Sequence, residues 1–365
     1  MSSRAHVLGC GSRPPARSHR VLLTGLLLPA LLTAAFARAD EPARTEYTRR
    51  AAAVAATDAE AQFKLGQWCQ ARRLPDLADR HFRAALAIAP EHAQARAKLG
   101  YKKEGAAWTR DPYRDMADGV HLPEPEEIAE LLAQPGTPNR DREDVLAFLL
   151  DRKVWATAFR RIDERLGLAN PSPEVAIQFH GLRTRGNQPA AGTGHGGRGL
   201  VYFDLDKYAS LWRLLEDVWA KIRAGARTNI PPADLRSTVP HELTHVFNGR
   251  LSGPTWLVEG MASYVQQDSS ILYALGGRLS AQRASLPPID GRMGFEDAYP
   301  RGWIFFEYLL AKHGKDKVHA FARAVVEEGT DPEEAAAAVT GKTWSDLVAD
   351  EQAWGATWLR KYGYK

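Results

Sequence analysis

The chain has 365 residues, with 48 Lys and Arg against 44 Asp and Glu, 11 His and 2 Cys, and a net charge of +4. Such a length provides for two domains with full cores. The positive excess does not mark a nucleic-acid or anionic-surface binder. Five arginines and no acidic residue fall within the first 39 positions, and without them the charge is −1.

In chain order, the first expectation is an export signal at residues 1–39. Arg4, Arg13, Arg17 and Arg20 precede an apolar run from Val21 to Phe36, and Ala37-Arg38-Ala39 offers a small-x-small cleavage site before Asp40. The product is then secreted or periplasmic, with no membrane segment left after cleavage. The alternative is an uncleaved anchor, since the run from Val21 to Ala37 sits at the lower limit for spanning a bilayer. Cys10 leaves with the signal, so Cys69 is the only thiol of the cleaved chain and no internal disulfide is expected. Cys69 itself reads as a small buried apolar residue.

Residues 40–115 read as helical. Leu65, Gly66, Cys69, Ala78, Phe82, Ala85 and Pro90 fall at spacings that resemble a tetratricopeptide unit, with Cys69 in the usual aromatic slot. Leu99-Gly100 opens a second unit that Gly105 and Asp111-Pro112 break. One and a fraction of a repeat cannot bury a solenoid core. The region therefore reads as a helical hairpin packed against the next domain, or as a module that docks a protein partner. Residues 116–140, with Pro123, Pro125, Pro135, Gly136 and Pro138, read as a linker containing one short helical stretch from Glu126 to Leu132.

Residues 141–365 form the second predicted domain. Phe148, Trp155, Phe159, Ile162 and Leu166 make one helix stripe ended by Gly167. Val175–Phe179 and Gly199–Phe203 read as short strands, joined by a flexible loop rich in Gly and Ala. That loop contains Gly192-Thr193-Gly194-His195-Gly196-Gly197, formally a dinucleotide fingerprint. The motif needs a helix directly after its glycines to meet the phosphates, and here a strand follows. His195 reads as a solvated loop residue. Leu211, Leu215, Val218 and Ile222 give an amphipathic helix.

The chemistry-bearing segment comes next. His241, Glu242 and His245 stand in His241-Glu242-Leu243-Thr244-His245, and fourteen residues on comes Glu259. On a helix, positions four apart share a face, so the two imidazoles can grip one ion with Glu242 beside it. Pro240 requires that the helix begin there or be kinked. A catalytic zinc takes three protein ligands and keeps a fourth position for water. Glu259 supplies the third if Leu251-Ser252-Gly253-Pro254 turns the chain into a second helix that folds back on the first. Glu242 is then the general base for amide hydrolysis. Asn248 reads as a cap for the end of the first helix.

These segments, with Trp256-Leu257-Val258-Glu259-Gly260-Met261-Ala262 and Ala298-Tyr299-Pro300-Arg301-Gly302-Trp303, resemble the gluzincin metallopeptidases, particularly minimal bacterial relatives of aminopeptidase N. The resemblance implies an α+β zincin-type fold, with a small sheet and helices above the zinc site and a helical half below it. It also implies one Zn2+ per chain, a peptide or protein substrate, and Tyr299 as the hydrogen-bond donor to the transition-state oxygen. No G-x-M-E-N segment is present to hold a free amine, which points from terminal toward internal cleavage. Ser263 stands where related enzymes place an aspartate behind a zinc histidine, so the residue orienting the ligands is open. A reading from another class is an inactive zincin-shaped scaffold that docks a partner through the helical repeat. It predicts loss of a catalytic residue, whereas Glu242 is retained.

Beyond Gly302, the run Trp303-Ile304-Phe305-Phe306 with Leu309 and Leu310 reads as a buried helix beneath the site. Val318, Phe321 and Val325 begin another. Trp344 to Tyr362 forms a last one, with Trp354 and Trp358 packed into the core.

Overall fold

Helices dominate the described part of the chain, and two small sheets interrupt them. The computed structural model describes residues 43–136, 138–168, 175–180, 191–196, 198–225, 234–248, 253–268, 286, 288–289, 293 and 295–360. The expected export segment, residues 1–39, lies outside these. Among the described residues, no helix is long and apolar enough to cross a membrane. Contacts divide the chain into Met1–Arg49 and Arg50–Lys365. Helix α1, Ala43–Ala51, spans that boundary.

The second unit opens with α2 (Ala59–Ala71) and α3 (Pro75–Ile88). Asp58 caps α2 by accepting from the Ala61 N–H, and Pro75 starts α3 where a missing N–H costs nothing. The positions expected to be apolar pack between them: Leu65, Cys69, Ala78, Phe82 and Ala85 are buried. Gly66 is a contact point, since a Cβ there would lie 2.6 Å from the Phe82 ring. The helix expected to start a second repeat stops early, as α4 (Ala93–Lys98). Gly100, at φ +89, turns the chain into a hairpin of β1 (Tyr101–Glu104) and β2 (Ala107–Arg110), which the sequence reading did not foresee. Gly105 takes the positive φ that its two-residue turn requires.

Short helices follow: α5 (Pro112–Asp118) and α6 (Pro125–Ala133). The stretch read as a linker thus contributes Ala117, Val120, Ile128 and Leu131 to the main core. The single stripe expected through Phe148 and Leu166 is two helices, α7 (Asn139–Leu149) and α8 (Arg152–Leu166). Asp151 makes the break by accepting from the Lys153 N–H as an N-cap, and Gly167 ends α8 in the left-handed region at φ 66.

The second sheet corrects the expected loop. β3 (Val175–His180) pairs parallel with β5 (Arg198–Asp204), and β4 (Ala191–Gly196) lies antiparallel on the other side of β5. The glycine-rich segment containing His195 is therefore an edge strand, and β5 rather than a helix follows it. Val175, Ile177, Val201 and Phe203 bury one face. Helix α9 (Leu205–Arg223) buries Leu205, Tyr208 and Ala209 in its first turns, while Leu211 is 40% and Leu214 59% exposed.

The remaining helices enclose the site. α10 (Thr238–Asn248) packs on α11 (Thr255–Gln266), on α8 and on strands β4 and β5. α11 packs on α12 (Phe295–His313), and α13 (Lys315–Val326), α14 (Pro332–Thr340) and α15 (Trp344–Leu359) close the far side. Phe305, Phe306 and Phe321 meet edge-on at 5.6–5.9 Å beneath α11, each burial stabilising by about 2–3 kcal/mol.

Candidate metal centre

Helix α10 begins from a 3-10 turn, Leu235–Ser237, capped by Asp234, which accepts from the Arg236 N–H at 3.0 Å. Pro240 is the third residue of α10, inside the first turn, where backbone N–H groups have no intrahelical acceptor. The helix thus begins two residues before Pro240, which sits in its first turn. The Thr244 hydroxyl donates to the Pro240 carbonyl oxygen at 2.6 Å. Every α10 residue from Val239 to His245 is buried, because sheet, α8 and α11 cover the helix on different sides.

Four residues apart on this helix, His241 and His245 turn their Nε2 atoms to within 3.2 Å of each other. Residues 249–252 lie outside the described residues, and α11 opens after Pro254 with Glu259 near its middle. The Glu259 Oε2 atom lies 3.6 Å from His241 Nε2 and 3.3 Å from His245 Nε2. Three donors bound at about 2.0–2.1 Å in tetrahedral geometry stand about 3.3–3.4 Å apart. The observed triangle has edges of 3.2, 3.3 and 3.6 Å. His241, His245 and Glu259 can therefore hold one metal ion. Two observations fit a cation at this point. Glu259 Oε2 is buried and makes no hydrogen bond. The imidazoles on either side hold its carboxyl down at about 2, against the desolvation that raises it.

Glu242 is 8% exposed and sits beside His241 on the same helix. Its charge reaches three phenols, Tyr202 on β5, Tyr208 on α9 and Tyr299 on α12, and helps burial to hold each above the ordinary phenol range. Tyr299 lies in the first turns of α12, its ring stacked on His241 with centroids 5.7 Å apart and planes 8° apart. The Glu259 carboxylate lies near enough to oppose loss of the Tyr299 proton, after burial the largest influence on it. The structure thus brings all five residues singled out in the sequence to one place.

Two glycines bring Tyr299 there. A Cβ on Gly302 would lie 2.0 Å from the Trp256 carbonyl oxygen, and one on Gly260 would lie 2.5 Å from Gly302 Cα. Helices α11 and α12 cross backbone on backbone, one residue from Glu259 and three from Tyr299. Beneath the crossing, Arg301 of α12 meets Glu351 of α15 in a two-pronged ion pair at 2.5 Å, both side chains fully buried. Sequence reasoning did not single out this pair or Tyr202. Tyr202 had a faint signal, an alternating position pointing away from Val201 and Phe203.

The carboxamide of Asn248, 2% exposed, donates to the Val258 carbonyl oxygen at 3.3 Å and so ties α10 to α11. Ser263 is fully buried with its hydroxyl making no hydrogen bond, so it gives neither histidine visible support. Comparison with protein-family models, with curated proteins and with solved structures finds no match, so what can be said of this centre comes from the chain's own residues.

Proposed function

We propose that this chain is an exported zinc-dependent peptidase of the gluzincin kind, cleaving internal peptide bonds in a zincin-type α+β fold. The observation that carries the reading is the triangle of His241, His245 and Glu259 with Glu242 beside it. Two imidazoles and one carboxylate, in a nearly tetrahedral set with a position to spare, suit zinc above the harder divalent ions. Zinc held there would polarise the scissile carbonyl and bring the pKa of a water toward neutrality.

The rest is the work of side chains. Glu242, adjacent to a ligand yet outside the triangle, accepts the proton of the attacking water and returns it to the departing amine. Tyr299 keeps its proton at neutral pH, because burial and the charges of Glu259 and Glu242 oppose phenolate formation. A phenol that stays protonated can donate to the oxygen that becomes negative in the transition state. The helix pair α2–α3 acts as a brace in this reading. Arg73 reaches Asp144 of α7 at 2.7 Å and Arg80 reaches Glu124 at 2.6 Å, which supports packing against the rest of the unit over a freestanding array.

Purified protein should carry one zinc per chain and cleave a mixed peptide library. Glu242→Gln should keep the metal and lower cleavage by about 10²–10⁴-fold. Wild type that holds zinc and cleaves nothing would sink the enzyme reading in favour of a scaffold. Stoichiometric zinc retained in Glu259→Ala would overturn the ligand set.

A further inference from the structure

We propose that the outer edge of β3 is a docking site for a basic, extended peptide segment of a partner protein, which adds to the sheet as a further strand. This site does not rest on the peptidase reading. In the three-stranded sheet β5 lies between β3 and β4, and the metal helix α10 packs on β4 and β5. The edge of β3 is the other one, across β5 from β4.

The chain covers that edge only in part. His121 forms an isolated parallel bridge with Ala176, donating to the Val175 carbonyl oxygen at 2.7 Å and accepting from the Ile177 N–H at 3.0 Å. Successive strand residues turn their backbone groups to opposite edges, so Val175, Ile177 and Phe179 face outward while Ala176 and Gln178 face β5. The next bond of a parallel ladder would run to the Ile177 carbonyl oxygen from the N–H of residue 123. That residue is Pro123, which has none. Pairing therefore stops at His121. Among the described residues, no backbone group meets the Ile177 carbonyl oxygen or the Phe179 N–H. An edge left in this state is a template for another strand.

The surroundings select the strand. A groove of about 620 Å³ opens between β3 and α6, lined by Pro123, Gln178 and Phe179 and, from α6, by Glu127, Glu130 and Leu131. Among the described residues, no lysine, arginine or histidine lines it. Both carboxylates are exposed, and Glu127 already accepts from the Glu124 N–H at 2.9 Å, which leaves Glu130 the freer of the two. A lysine or arginine on the incoming strand meets these carboxylates, whereas an acidic strand meets repulsion. Side chains at alternate positions of an added strand point the same way, so apolar residues between the basic ones can reach Leu131 and Phe179. Backbone bonds thus supply adhesion, and the acidic wall supplies selection.

The probe is a capped octapeptide of alternating lysine and valine, titrated by fluorescence anisotropy against the Glu242→Gln chain so that the proposed general base cannot cut it. Binding should saturate. Glu127→Lys combined with Glu130→Lys, both at exposed positions, should weaken it about tenfold and make the matching glutamate–valine peptide the better ligand. Two copies of the probe, N-methylated at lysine only or at valine only, separate a paired strand from a charge contact. One should bind about tenfold more weakly, because its lost N–H groups are those facing β3, and the other should stay within a few-fold of the parent. No binding, an affinity that the charge reversal leaves unchanged, or equal effects of the two methylations overturns the proposal. Treatment with a chelator should leave the affinity as it was. Loss of binding on that treatment would place the probe at the metal centre and overturn the edge assignment. Wild type that holds no zinc bears on the peptidase reading alone.

Discussion

The helix pair α2–α3 and the helices α10–α12 place their charges on opposite sides of the surface. In the pair, the interior is Leu65, Cys69, Ala78 and Phe82, with His81 and Gln62 buried beside them and hydrogen-bonded to each other, while its arginines look outward, as where Arg83 meets Asp118 with 39% and 18% of the side chains exposed. Around the metal centre, His241, Glu242, His245, Arg301 and Glu351 are all under 10% exposed. Charge inside a protein is costly unless paired or bound to an ion, whereas charge at the surface contributes little either way. The first region should therefore tolerate charge removal, and the second should not.

The sharpest contrast concerns Glu351. Glu351→Ala leaves Arg301 charged in the interior and should destabilise the fold by about 3–5 kcal/mol, read by urea unfolding. A cost under about 1 kcal/mol would erase the distinction between the regions. Next comes acid, applied to protein stripped by a chelator. The Glu259 carboxyl titrates at about 2 in the fold against a reference of 4.5, so the unfolded chain binds more protons between these values. Stability from this group is complete above the reference value and is lost as pH falls through that window, at most about 3 kcal/mol in all. Melting temperatures from pH 6 to pH 2 should fall more steeply for wild type than for Glu259→Gln, and parallel curves would refute the assignment.

Gly302→Ala should cost about 1–3 kcal/mol, because the new Cβ meets main-chain atoms of α11 that cannot rotate away. Any activity that remains should show a reduced kcat rather than a raised KM, since Tyr299 moves with α12. A variant with unchanged kcat and lowered stability would detach the crossing from the chemistry. The smallest effect is predicted for Arg83→Ala, about 0–1 kcal/mol by thermal melting, with zinc affinity unaltered.

Legibility in the sequence followed the range of the forces involved. His241 and His245 lie one helical turn apart, a local relation that spacing alone expresses. The pairing with Glu259 needed only one turn between two helices. Tyr299, 40 residues further on, came through resemblance, because its place depends on how α12 crosses α11. The strand β4 was missed since its glycines carry no side chains to mark a face, and only pairing with β5 defines it. The break at Asp151 was local and could have been read from its capping side chain, but the apolar stripe continuing across it hid the signal. Asn248 looked like a helix end from sequence. Its partner, the Val258 carbonyl, belongs to backbone that no residue identity announces.

The contact between Gly260 and Gly302 joins main chain to main chain, with no rotamers between them. Side-chain packing relaxes by small adjustments, and a spacing set through side chains drifts as the core is rebuilt. The spacing between Glu259 and Tyr299 is instead gauged by covalent geometry on both helices. Volume-conserving exchanges among Phe305, Phe306 and Trp344, directly behind the crossing, should leave that gauge in place. The core here is free to be redesigned while the reach from carboxylate to phenol stays constant.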